Sequence, residues 1–316
     1  MRTAAPMRPA PWTFAARWGA RGYVSDLDGP VHWVEFTPGD SPDRTPIVFV
    51  HGLGGSHLNW CLIGPELAAG RRAVALDLHG FGLTPGSRAT TTVQANARLL
   101  DRFLREVTGT PVILAGNSMG GLISILHTAS APDTVEGLVL IDPALPVTSR
   151  TPDRQVGSQF LLYALPGLGD LYVRAVMSRR PPELAVQRVI ELCFADPSRA
   201  DPAMLTASVA LAAERQRQEH PNAAAFLAAS RSLLRVVGQR HLYWEMMALV
   251  RVPVLLIGGE ADRLVSAASM RQAAARNPRW EVVMLPGVGH TPQLEAPDNV
   301  IAAVRDWLGR TTPGTR

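Results

Sequence analysis

Residues 111–121 read P-V-I-L-A-G-N-S-M-G-G, and this stretch decides the fold. It opens with an apolar run of the length expected for one buried strand, and a helix-like stretch follows over residues 122–129. The turn between them carries the pattern G-x-S-x-G, which strains the central residue and pushes its side chain outwards. Gly116 and Gly120 lack Cβ atoms, so the turn can close around Ser118. The stretch predicts a nucleophilic serine at a helix N-terminus, where free N–H groups favour developing negative charge.

Short apolar runs and helix-like segments alternate through most of the chain. The other runs predicted to be strands are residues 31–36, 47–50, 73–76, 138–141, 254–257 and 281–285. The segments predicted to be helices are residues 57–69, 90–107, 266–276 and 297–308. This alternation predicts an α/β fold with a mostly parallel sheet flanked by helices on both faces.

One long segment interrupts the alternation and predicts an inserted helical cap. Helix-start signals occur at Pro181-Pro182, at Asp201-Pro202 and at Pro221, without a clear strand signal between them. We therefore predict an N-terminal extension over residues 1–22, a core formed by residues 23–144 and 249–316, and a cap over residues 145–248.

The first part of this cap, residues 160–177, is strongly apolar. Packing of the cap against the core explains most of this apolar character. A second interpretation is an apolar wall over an acyl or aromatic substrate.

Composition restricts the class of protein and its partners. The chain has 316 residues, a formal charge of +4 and two cysteines, and all of its Lys/Arg positions are arginine. The arginines are dispersed among acidic residues, so we expect no nucleic-acid partner. Two cysteines cannot form a disulfide framework, and residues 1–21 lack an apolar core of secretory length, which favours a cytoplasmic location. No stretch offers the ~20 apolar residues of a membrane span, so we expect no stable membrane insertion. The oligomeric state stays open.

Several predicted strands end in motifs rich in Gly, His and Asp. The carboxyl ends of parallel strands share one edge of the sheet, which is where ligands bind. The polar residues expected at this edge are His51, Asp77, Ser118, Asp142, Asp262 and His290. We predict that His290 is the base for Ser118, because a near-neutral imidazole can take the serine proton and later return it.

The acid that orients His290 has two candidates. Asp262, in G-G-E-A-D after the strand over residues 254–257, is our first choice. Asp142 follows the preceding strand and is the alternative.

An oxyanion hole needs two N–H groups. We assign these to the amides of Met119, directly after the nucleophile, and Leu53, in the loop H-G-L-G-G. His51 in this loop is expected to brace it. No Asp/His cluster has metal-ligand spacing and no phosphate-binding glycine loop occurs, so we expect neither a metal nor a cofactor.

The motif series resembles that of the α/β-hydrolase superfamily with a helical cap. The motifs are H-G-L-G-G, D-L-H-G-F-G, G-N-S-M-G-G, G-G-E-A-D and G-V-G-H-T-P-Q-L-E-A-P, and the resemblance covers nearly the whole core. It implies the α/β-hydrolase fold and a Ser118, Asp262 and His290 triad. Ser118 stands where members that open epoxides or displace halide generally carry aspartate.

The reaction expected from the resemblance is cofactor-free hydrolysis of a small-to-medium apolar ester. G-N-S-M-G-G is also similar to hydrolases of aromatic meta-cleavage products, which cut carbon–carbon bonds. Those enzymes commonly have a longer oxyanion loop and a tryptophan after the catalytic histidine, where this chain has Thr291. Carbon–carbon cleavage is therefore the second hypothesis, and thioesterase and lactonase activities stay open. A non-catalytic ligand-binding module of the same fold is the alternative from another class.

Overall fold

Nine strands form one sheet in the computed structural model, which describes residues 7–10, 13–36, 44–147, 153–177, 179–218 and 222–311. The strands are β1 Met7–Pro9, β2 Ala20–Asp26, β3 Pro30–Phe36, β4 Arg44–Val50, β5 Arg71–Leu76, β6 Val112–Asn117, β7 Val135–Ile141, β8 Val254–Gly259 and β9 Glu281–Leu285. Their order in the sheet is β1-β2-β3-β5-β4-β6-β7-β8-β9. The pairs from β5 to β9 are parallel, and those that involve β1, β2 or β3 are antiparallel. The predicted mostly parallel sheet is confirmed.

The central strands are buried on both faces, as their continuous apolar sequences predict. β6 lies between β4 and β7, and all six of its residues are buried. Because no side of such a strand faces water, it reads as an unbroken apolar run and not as an alternating one. Each of the seven predicted strands is present. β6 runs up to the residue before Ser118 and so presents this serine near the middle of the sheet edge.

Strands β1 and β2 were not predicted, although β2 begins inside the proposed N-terminal extension. β2 pairs with β3 along its whole length, and the ring of Tyr23 stacks on Trp33 with centroids 4.5 Å apart. Phe14 and Trp18 pack against the core as partly buried side chains. β2 contains Gly22 and mixes polar with apolar residues, so its sequence shows no regular alternation. It is ordered because it pairs with β3.

The described ranges contain twelve α-helices, some flanking the sheet and some in the segment proposed to be the cap. They are α1 Gly64–Leu67, α2 Val93–Phe103, α3 Met119–Ser130, α4 Arg154–Ala164, α5 Leu168–Tyr172, α6 Pro182–Cys193, α7 Pro202–Arg217, α8 Asn222–Gly238, α9 Arg240–Ala248, α10 Ala267–Arg276, α11 Pro292–Glu295 and α12 Pro297–Thr311. Within the described ranges, every helix falls short of the length and apolarity that a bilayer crossing requires.

Two helix predictions need correction. The helix expected over residues 57–69 is instead a 3-10 turn, His57–Trp60, followed by the short α1. The helix expected over residues 90–107 begins after Thr92, whose side chain caps it, and its last turn widens into a π-turn over Leu104–Thr108. Pro65, which lacks an N–H, lies in the first turn of α1 and so cannot continue a helix from His57, and the cap at Thr92 displaced the start of the second helix.

The cap helices follow the predicted start signals. Asp201 caps α7 by accepting the N–H of Met204 at 2.8 Å, with Pro202 in the first helical position. Pro221, predicted to open α8, lies outside the described residues, and the helix ends at Gly238 as expected. The apolar stretch over residues 160–177 packs inward only in part, because several of its leucines face solvent.

Candidate active site

Ser118 lies in the sharp turn between β6 and α3. Its backbone has φ 53° and ψ −119°, a conformation that L-residues rarely adopt and that costs free energy. The side chain makes no capping hydrogen bond to α3 and is only half buried. The turn therefore holds the hydroxyl at the helix N-terminus and leaves it accessible, as the G-x-S-x-G pattern predicts.

The neighbouring glycines are required by close backbone contacts. A Cβ on Gly116 would lie 2.6 Å from the carbonyl oxygen of Gly120, and a Cβ on Gly120 would lie 2.0 Å from that of Val50. Across the turn, a Cβ on Gly52 would lie 3.0 Å from the Cβ of Ser118. These distances bring the H-G-L-G-G loop directly against the serine.

His290 and Asp262 are hydrogen-bonded to each other at the same edge of the sheet. His290 Nδ1 lies 2.7 Å from Asp262 Oδ2, and both side chains are buried. The other carboxylate oxygen accepts the N–H groups of Leu264 at 2.6 Å and Val265 at 3.1 Å. Because Nδ1 faces a carboxylate, it carries the ring proton, and Nε2 is left with a lone pair to accept another.

Asn117 joins the serine turn to the His290 loop. Its side-chain amide donates to the backbone oxygen of His290 at 3.1 Å and to that of Ile141 at 2.9 Å. The residue directly before Ser118 is thus bonded to the residue predicted to be its base. Sequence reasoning missed this role, since the G-x-S-x-G pattern leaves position 117 undefined.

Glu295 anchors the His290 loop to the cap and was also missed. Its side chain is fully buried, and its carboxylate accepts the N–H of Gly289 at 2.7 Å. The same group accepts the N–H of Ala195 at 3.1 Å and of Asp196 at 2.9 Å, just beyond α6. The only sequence signal was an acidic residue five positions after His290 in the motif that ends L-E-A-P.

A second contact ties the same loop to the end of α6. The N–H of His290 donates to the carbonyl oxygen of Cys193 at 2.6 Å. A Cβ on Gly289 would lie 2.3 Å from that oxygen, so only glycine fits there. The end of α6 thus fixes the backbone position of His290.

Asp142, the alternative acid, lies beside Asp262 with a different set of contacts. It has φ 39° and is fully buried, and its carboxyl oxygens accept the N–H of Gly259 at 3.0 and 3.2 Å. Burial, together with the adjacent negative charge of Asp262, holds the pKa of Asp142 well above its usual range. His290 Nδ1 contacts Asp262 and not Asp142, so the geometry favours Asp262 as the acid.

Of the two amides proposed for the oxyanion hole, that of Met119 directly follows Ser118, and that of Leu53 follows Gly52, where a Cβ would lie 3.0 Å from the Cβ of Ser118. Met119 is the first residue of α3, where the N–H has no intrahelical acceptor. Among the residues that the structure describes, neither the Met119 nor the Leu53 amide donates to another group. Their assignment to the oxyanion hole stays a prediction.

His51 braces the loop that contains Leu53. Its Nδ1–H donates to the carbonyl oxygen of Gly52 at 2.7 Å, and its Nε2 accepts the N–H of Leu78 at 3.1 Å. These two bonds require a neutral ring. Burial lowers the pKa of His51 to about 4, which keeps the ring neutral at physiological pH.

A buried cluster of His32, His57 and Asp77 lies next to this loop. The three side chains offer metal-ligating atoms within 4.8 Å of one another, although they are far apart in sequence. Both Nδ1 atoms lie 2.8–2.9 Å from Asp77 Oδ2. Burial opposes ionisation of Asp77, but its interactions with His57 and His32 outweigh that effect and hold its pKa well below the usual range. The Asp77 oxygens also accept the backbone N–H groups of His57 at 2.7 Å and Leu83 at 2.9 Å, so the cluster joins three segments of the chain, and we assign it a structural role.

Comparison with known proteins identifies the family. The chain matches the alpha/beta hydrolase family over residues 47–303 and therefore belongs to it. It is 28% identical over 302 residues to the dihydrolipoyllysine-residue acetyltransferase component of an acetoin cleaving system from Pseudomonas putida, covering 91% of this chain and 72% of that protein. It is 29% identical over 264 residues to the pimeloyl-(acyl-carrier protein) methyl ester esterase of Edwardsiella ictaluri (strain 93-146), covering 84% of this chain and 93% of that protein.

Solved structures agree on the fold. A crystal structure of a membrane phospholipase A, called a bacterial virulence factor, matches with a TM-score of 0.73 and 24% identity, covering 94% of this chain and 88% of that one. The resemblance inferred from the motifs is confirmed. The protein is a hydrolase, and the esterases and lipases among its relatives support ester hydrolysis as its general reaction.

Proposed function

We propose that the protein is a serine hydrolase that cleaves carboxylic esters through an acyl-enzyme on Ser118. The observation that carries this proposal is the 2.7 Å contact between His290 Nδ1 and Asp262 Oδ2, on a loop bonded to the residue before Ser118. It combines an oriented imidazole with a strained, accessible hydroxyl at a helix N-terminus.

In the first half-reaction, Ser118 Oγ attacks the ester carbonyl carbon while His290 Nε2 takes the hydroxyl proton. The carbonyl oxygen becomes an oxyanion that the Leu53 and Met119 amides bind. The tetrahedral intermediate then collapses, the ester C–O bond breaks, and His290 returns its proton to the leaving alkoxide. The products are an alcohol and the acylated serine.

In the second half-reaction, water attacks the acyl carbon and His290 Nε2 takes a proton from it. Collapse of this second intermediate breaks the bond to Ser118 Oγ, which regains its proton, and the carboxylic acid leaves. Asp262 orients the ring and stabilises the imidazolium in both halves, and its Oδ1 is fixed by the two backbone N–H groups that it accepts.

The substrate class that fits is a small-to-medium apolar ester. Leu53 and Phe226 are partly buried apolar side chains beside the oxyanion loop, and a Cβ on Gly54 would lie 3.7 Å from Phe226. An apolar wall near the reacting carbonyl favours acyl groups without charge.

Labelling with a fluorophosphonate probe, together with hydrolysis of p-nitrophenyl esters of increasing chain length, tests the proposal. We expect an adduct on Ser118, and we expect Ser118→Ala to abolish both labelling and turnover. Ser130→Ala, at the exposed far end of the same helix, is the matched control and should retain both. Folded wild-type protein that forms no adduct would instead be a ligand-binding module. Hydrolysis of a meta-cleavage product, with every ester inert, would favour carbon–carbon cleavage.

A further inference from the structure

Four leucines of the cap expose apolar surface to solvent at the start of the inserted segment. Leu161, Leu165, Leu168 and Leu171 are 63%, 42%, 59% and 65% exposed. Leu161 lies in α4, Leu165 follows the end of α4 directly, and Leu168 and Leu171 lie in α5. Scattered exposed leucines are ordinary, whereas a contiguous set marks an interaction site. We call these four side chains the leucine surface.

The opposite side of the same two helices is already packed. Tyr163 and Val173 are 3% and 2% exposed and form a buried cluster with Leu227 of α8. The ring of Tyr163 meets Phe226 edge to face at 5.3 Å, and Phe226 in turn faces Gly54 of the oxyanion loop. The leucine surface is therefore not the side by which these two helices pack against the rest of the chain. It lies on the side of these helices away from Phe226, which approaches the loop that contains Gly54.

The charges around the leucine surface are suited to an anionic partner. Asp170 is paired with Arg231 at 2.8 Å and with Arg88 at 3.1 Å. Asp153 is paired with Arg263 at 3.1 Å. Arg174 follows one turn after Asp170 and is exposed. Arginines therefore offset the negative charges of Asp170 and Asp153. Guanidinium groups also bind phosphate well.

We propose that the leucine surface docks reversibly on an anionic phospholipid bilayer. The leucines enter the boundary between headgroups and acyl chains, and the exposed Arg88 and Arg174 lie at the level of the lipid phosphates. A second copy of this chain fits the surface less well, because a two-fold contact would bring the same arginines against one another. Docking does not require the chemistry proposed for Ser118, so either can fail without the other.

Sedimentation of the full chain with vesicles tests the docking directly. The vesicles contain equal parts of phosphatidylglycerol and phosphatidylcholine, and binding is measured without any turnover. We expect the double variant Leu161→Gln/Leu171→Gln to lower the partition coefficient about tenfold or more. The matched control is Leu242→Gln/Leu249→Gln, since these leucines are 57% and 51% exposed at α9. The control should change partitioning by less than about twofold.

Two further measurements separate lipid docking from the other outcomes. Arg174→Gln should weaken binding to the anionic vesicles and leave the weaker binding to pure phosphatidylcholine vesicles unchanged. Circular dichroism confirms that each variant is folded. Equal partitioning of the two double variants would overturn the proposal. A second result would also overturn it: the wild type is a dimer in sedimentation velocity, Leu161→Gln/Leu171→Gln dissociates this dimer, and neither protein binds vesicles. The leucine surface would then bind a second copy of this chain.

Discussion

Replacing Glu295 by glutamine tests how the loop that carries His290 is held. The buried carboxylate accepts the N–H groups of Gly289, Ala195 and Asp196 at distances of 2.7 to 3.1 Å. Glutamine keeps the shape of the side chain but turns one oxygen into an N–H2 group that faces a backbone donor. A buried donor without a partner costs about 1–3 kcal/mol, and the remaining bonds lose their charge assistance. We therefore expect Glu295→Gln to lower the free energy of unfolding by about 3 kcal/mol.

Urea unfolding and steady-state ester hydrolysis measure the two consequences of this change. Because Gly289 directly precedes His290, we expect kcat to fall about tenfold or more while KM changes little. The matched control is Glu191→Gln on α6, whose exposed carboxylate accepts from Gln187 and Arg188. It should cost less than about 0.5 kcal/mol and leave kcat unchanged. A Glu295→Gln protein as stable and as active as this control would refute the reasoning.

Two further predictions concern buried titratable groups. Asp262→Asn should lower kcat by about 10³–10⁴, because the ring of His290 loses the charge that orients it. Asp142→Asn should lower kcat by less than about tenfold, since a neutral amide resembles the protonated carboxyl. The reverse order in the kinetics would move the acid to Asp142. For His51, the unfolded pKa of ~6.5 and the folded pKa of about 4 mean that the unfolded state binds more protons between these values. The contribution of the neutral His51 ring to the free energy of unfolding is fully present above pH ~6.5 and falls by about 3 kcal/mol as the pH drops to ~4. Urea unfolding from pH 7 to 4 should show this component in the wild type and not in His51→Asn, and parallel curves would contradict it.

The proposed catalytic groups and the cap are mechanically linked through the His290 loop. Glu295 and the backbone of Cys193 bind this loop from the core side and from the end of α6. Asn117 binds it from the serine turn. The position of His290 therefore depends on three elements at once. Glycine is required at position 289 because the carbonyl oxygen of Cys193 leaves no room for a Cβ there.

The sequence by itself determined seven of the nine described strands, the serine turn and the starts of α6 and α7. Apolar runs such as residues 112–115, the glycines around Ser118 and the Asp201-Pro202 cap act on neighbours within a few positions along the chain. The structure confirms the fold that these signals predict, and the family match confirms the resemblance. The catalytic roles assigned to Ser118, Asp262 and His290 stay predictions for the labelling and kinetic experiments.

Only the tertiary structure decided which distant groups meet. His290 contacts Asp262 across 28 residues of sequence, Asn117 reaches His290 across 173, and Glu295 reaches Ala195 across 100. Such bonds depend on where parallel strands end along the sheet edge, and no local pattern encodes that position. The same holds for the leucine surface. An apolar stretch in the sequence does not show which of its faces is buried. In the structure, α8 packs against one face and the other is exposed to solvent.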